Sequence, residues 1–137
     1  MPFTAEDLLQ TRFAPEPAPL LELGIALAVL QRRDALFERW RRRGRAALPR
    51  AAGPMLELVP PSATGPLFLD PISEGLEDGL DTVMSTPQPT VEEELTRVIA
   101  PSRATSFIKA LRSRDREAWA SLGVAIRVSH RALLADQ

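Results

Sequence analysis

The sequence predicts an all-α fold: one compact domain over 1–137, of about six or seven helices, with a proline-rich loop packed against it. Three observations carry this expectation. Apolar residues recur at three- and four-residue steps in several segments, the period of an amphipathic helix. Alternating β-branched runs are missing and tyrosine is absent, so no strand signal is present. Thirteen prolines punctuate the chain, mostly between the periodic segments. At 137 residues the chain is about one ordinary domain and can bury a core without staples.

The elements follow in order. Thr4 reads as the N-cap of a short helix whose early acids, Glu6 and Asp7, suit the positive end of its dipole. The stretch Ala14 to Pro19 is broken by prolines, and Pro19 fits the first turn of the next helix. That helix, Leu20 to Arg33, is apolar nearly all round, the pattern of an element central to a core. Asp34 is placed to cap a further helix with Leu36, Phe37 and Trp40 inward. Its arginines 39, 41, 42, 43 and 45 then point outward, and Gly44 weakens its end.

One short helix is expected between Pro49 and Val59, around Met55, Leu56 and Leu58. From Pro60 to Ile72 the prolines prevent long regular structure, yet Leu67, Phe68 and Leu69 give the loop a reason to pack down. Ser73 is expected to cap a helix reaching about Met84 and burying Leu76, Leu80 and Val83. Thr90 with Glu93 has the spacing of a capping box, which starts another helix there and lets Pro101 end it. A short helix around Phe107, Ile108 and Leu111 follows. Asp115 then caps a long last helix with Trp119, Leu122, Ile126 and Leu133 on one stripe and His130 on or near it.

Composition excludes much chemistry. The absence of cysteine removes disulfides, thiolate nucleophiles and thiolate metal sites. A single histidine, His130, rules out two-histidine metal motifs and reads as a structural or interface residue. No phosphate-cradling glycine loop and no strand-elbow serine is present; Ser62 and Thr64 merely lie in a loop. Glu92, Glu93 and Glu94 read as an acidic helix start, and Glu74, Glu77, Asp78 and Asp81 as a solvated face without the pattern of a calcium loop. No enzyme, no cofactor and no metal is therefore expected. No apolar run reaches the roughly 18 residues of a membrane span, and the N-terminus lacks a basic signal region. A cytoplasmic setting without membrane contact is expected.

The net charge of −1 conceals segregation. Residues 51–96 hold nine acids and no lysine or arginine, while both flanking segments are net basic. The cluster Arg39, Arg41, Arg42, Arg43 and Arg45 is the candidate basic patch. It reads either as a solvated face paired with the acidic middle, which the acidic isoelectric point favours, or as a contact for phosphates or an acidic partner. The few large aromatics, Phe37, Trp40, Phe68, Phe107 and Trp119, are candidates for an apolar pocket or, by default, for the core.

The order of several motifs also carries a resemblance. Phe3-Thr4-Ala5-Glu6-Asp7-Leu8 with Thr11-Arg12-Phe13 is followed by Pro19-Leu20-Leu21-Glu22-Leu23 and by Phe37-Glu38-Arg39-Trp40-Arg41-Arg42-Arg43. Leu58-Val59-Pro60-Pro61, Phe68-Leu69-Asp70-Pro71, the region Leu76 to Pro87 and the tail from Asp115 continue the likeness. So arranged, the chain resembles the N-terminal domain of ArsR-like winged-helix transcriptional regulators of high-GC bacteria. The resemblance spans nearly the whole chain, and it implies a setting without assigning residue roles. It implies a non-catalytic regulatory domain serving dimerisation, effector sensing or both. A homodimer and a small-molecule effector are the implied partners. DNA would be reached only through a C-terminal module, since no winged helix is legible in these residues. The rival readings are a stand-alone helical module for protein interaction or small-ligand binding, and direct DNA binding through the arginine cluster.

Overall fold

The computed structural model describes residues 18–33, 37–62, 65–71 and 73–134. The helix expected after Thr4, the Asp34 cap, Leu36, Thr64 and the last three residues lie outside the described residues. Among the described residues there are seven α-helices and no strand, as the periodicity predicts. They are α1 (Pro19–Leu30), α2 (Glu38–Ala47), α3 (Gly53–Leu58), α4 (Leu76–Met84), α5 (Gln88–Val98), α6 (Ser106–Arg112) and α7 (Arg116–Leu133). Short 3₁₀ turns at Arg50–Ala52, Leu67–Leu69 and Pro101–Arg103 join them.

Pro19 opens α1 as expected, because its missing N–H falls where no intrahelical acceptor exists. Leu20, Leu23, Leu27 and Leu30 point into the core. Gln31 closes α1 by donating from Nε2 to the carbonyls of Leu27, at 3.2 Å, and Val59, at 2.5 Å, which ties its end to the end of α3. The last helix is the axis of the domain. Asp115 caps it by accepting from the Ala118 N–H at 3.0 Å, and its buried Trp119, Leu122, Ile126 and Leu133 form the expected stripe. This stripe faces α1, α2, α3, α4 and α6. Each fully buried leucine contributes roughly 2 kcal/mol of transfer free energy.

The proline-rich loop does pack down. Phe68 and Leu69 are buried, and the Phe68 ring meets Trp119 with centroids 6.1 Å apart. The Phe68 N–H donates to Glu94 Oε1 of α5 at 2.6 Å, so the loop is held by a side chain as well as by burial. Leu67 stays exposed.

Two expected helix starts differ from what forms. Ser73 does not cap α4: its hydroxyl donates to the Gly75 carbonyl at 2.9 Å, and the helix begins at Leu76 without a side-chain cap. The capping box at Thr90 does not form either. Helix α5 begins at Gln88, because Pro89 fits a first turn and needs no acceptor, which puts Thr90 inside the helix. Helix α2 runs through Gly44 to Ala47. A β-carbon at Gly44 would lie 2.8 Å from Leu30 Cδ1 and 3.2 Å from Leu133 Cδ2, so the glycine is where α2 closes on α1 and α7.

The charge segregation resolves into contacts. Arg127 of α7 pairs with Glu77 of α4, and Arg112 of α6 pairs with Glu92 of α5 at 3.4 Å. The acidic middle is thus met by the basic C-terminal segment. Of the exposed α2 arginines, only Arg42 has an ion pair among the described residues, with Glu38 of its own helix at 3.5 Å.

Candidate functional site

Helix α1 is too apolar to hide all of its side chains. An amphipathic helix buries one stripe; this one carries leucine, isoleucine, valine or alanine at most positions, and a single domain covers only part of its circumference. Leu21 is 44% exposed and Ile25 is 52% exposed. With half-buried Val29 they stand at four-residue steps, a continuous ridge along the outer side of the helix.

Beside the ridge runs an open groove of about 420 Å³. Ile25, Ala26 and Val29 form one wall, Phe37 and Trp40 the other, and Leu134 at the end of α7 closes it. Glu22 is the one charged residue in its lining among the described residues. The groove exists because of how α2 starts. Phe37 takes a left-handed conformation with φ 61° and the helix begins only at Glu38, so the ring is not carried into the core with the helix. A phenylalanine in this region is strained, and it persists only where the surrounding chain determines it.

The five aromatic candidates therefore divide. Phe68 and Trp119 are core, and Phe107 is half-buried against that core. Trp40 is half-buried and lines the groove. Phe37 was expected inward but is 60% exposed at the groove wall. The structure brings Phe37 and Trp40 together with α1, and separates them from the Phe68–Trp119 pair.

The basic candidates divide as well. Arg39, Arg42, Arg43 and Arg45 are exposed. Arg41 is corrected: it is 3% exposed and lies on the inner face with Gly44, three residues on. The helical period forces this, since α2 must turn one face to α1 and α7 and that face includes position 41.

Sequence reading missed Asp70. Its carboxyl is half-buried beneath α1, where a β-carbon on Gly24 would lie 3.2 Å from Asp70 Oδ1. Burial, and then the neighbouring Glu94 carboxylate, push its pKa up from 3.8 to about 6. Only the tertiary approach of the loop to α1 creates this environment. The one local hint is a glycine inside an otherwise apolar helix.

Among the described residues no group of histidines, aspartates and glutamates is arranged to hold a metal, and no helix is long and apolar enough to cross a membrane. No known family model, curated protein or solved structure matches the chain.

Proposed function

We propose that the chain is a non-catalytic regulatory domain that works by pairing with a second copy of itself through the α1 ridge and the adjoining groove. The setting is that of a transcriptional regulator, which the likeness to the ArsR-like group suggests. The observation that supports this reading is the ridge Leu21–Ile25–Val29 lying beside an apolar groove on the same face. Residues at four-residue steps form the ridges that interdigitate when helices pack, and a ridge next to a groove is self-complementary about a two-fold axis. Contiguous exposed apolar patches on soluble domains mark interaction surfaces. The nearly uncharged lining fits a second apolar helix better than a polar ligand.

Sedimentation equilibrium of the native chain and of Ile25→Glu tests the proposal. The native chain is expected to be a dimer with a Kd in the range of about 1–50 µM. Ile25→Glu is expected to be monomeric, with a melting temperature close to the native value because the side chain is already half in water. A native chain that remains monomeric at several hundred micromolar overturns the reading.

A further inference from the structure

We propose that the cleft where α1, α2 and the turn leading into α3 meet binds a small molecule with a carboxylate on an apolar body. The cleft is an open depression of about 580 Å³, within the size range of small-ligand sites. It shares no lining residue with the groove at Phe37 and Trp40, and so goes beyond the pairing face. Its apolar part is Leu30 at the end of α1, Leu48 and Pro49 after α2, and Leu56 of α3. Arg45, Arg50, Gln31 and Gly53 complete the lining, and among the described residues no acidic side chain lines the cleft.

Among the described residues no ion pair compensates the charge at this place. Arg45 Nη1 donates only to the Leu30 carbonyl, at 3.5 Å, a length at which little of its donor capacity is used. The Arg50 side chain is exposed, and its guanidinium has no ion pair among the described residues. Gln31 has its amide nitrogen committed to Leu27 and Val59, so the side chain is held in place at the cleft rather than free to fill it. Guanidinium forks match a carboxylate with paired, charge-assisted hydrogen bonds. The leucine and proline wall offers a hydrocarbon body the burial that it would deny a sugar, whose hydroxyls would be left unpaired there. A carboxylate on an apolar chain satisfies both halves of the site.

Titration calorimetry on the full chain with octanoate, and with octanamide as its uncharged counterpart, tests this. Octanoate is expected to bind saturably with a Kd below about 1 mM, and octanamide at least about ten-fold more weakly, since the amide forfeits the charge-assisted pair. The double variant Arg45→Gln, Arg50→Gln should lose octanoate affinity by a similar factor while leaving octanamide unchanged. Both arginines are exposed, so the variant is expected to keep its fold. Absence of saturable octanoate binding, equal binding of acid and amide, or undiminished binding to the double variant each overturns the proposal. These readouts do not depend on whether the chain pairs, so failure here leaves the pairing test standing.

Discussion

Arg114 shows how much one side chain can hold. It follows α6 in the left-handed conformation, φ 61°, where glycine usually stands. Its N–H donates to Leu111 at 3.1 Å and that of Asp115 donates to Ala110 at 2.9 Å, which closes the end of α6. The guanidinium lies 3.8 Å over the Trp119 ring and donates to the carbonyls of Met84 and, at 2.8 Å, Thr86. Arg114→Ala is expected to cost about 1–2 kcal/mol, from the lost cation–π contact and hydrogen bonds. Arg114→Gly should cost about 1 kcal/mol less, because glycine takes this conformation without penalty. Urea denaturation of the two variants decides it; equal costs would mean that the backbone is not strained there. At Asp70 the sign runs the other way from an ordinary ion-paired acid. Its pKa is raised in the fold, so the folded state holds the proton more tightly than the unfolded chain. Stability from this group is full below pH 3.8 and is lost as pH rises to about 6. Asp70→Asn removes that loss. It should raise stability at pH 7.5 by about 1 kcal/mol after discounting for the solvent that reaches the carboxyl, and should give no gain at pH 3.5. Thermal melts at both pH values check this.

At the scale of elements, Gly44 sets how closely α2 can approach. Gly44→Ala is expected to destabilise by about 1–3 kcal/mol, although alanine is the better helix former, because the methyl meets Leu30 and Leu133. Gly53→Ala, which meets nothing within 4 Å, should be close to neutral in the same denaturation assay. The elements also show what sequence reading can reach. Helices with a clear start signal, such as α1 opened by Pro19 and α7 capped by Asp115, are legible because local signals and packing agree. Starts were misread where two local signals competed, as at Pro89 against the Thr90 capping box, and at Ser73, whose hydroxyl turns to Gly75. For α2 the five arginines masked the inward face, since charge reads as exposure while the period places Arg41 inside. The groove was illegible for a different reason. Phe37 and Trp40 were singled out by residue type, but the left-handed turn that exposes Phe37, and the packing that sets it opposite Ile25, are tertiary facts.

On the scale of the whole molecule, the segregated charges have two fates. The acidic α4 and α5 are drawn to α6 and α7 through Arg112 and Arg127, and the α2 arginines other than Arg41 are left on the surface, with Arg45 and Arg50 at one cleft. The exposed ridge of Leu21 and Ile25 is the surface proposed to meet a second copy. The chain has no cysteine, so one introduced thiol reports on that contact alone. The most direct measurement is mild oxidation of Ile25→Cys, compared with Glu93→Cys on the exposed side of α5, followed by non-reducing electrophoresis. Ile25 is the middle of the ridge, and a two-fold axis crossing the ridge there would bring it within the roughly 7 Å between α-carbons that a disulfide spans. Rapid conversion of Ile25→Cys to a covalent dimer is expected, while Glu93→Cys stays monomeric. An Ile25→Cys chain that cross-links no faster than Glu93→Cys would contradict it.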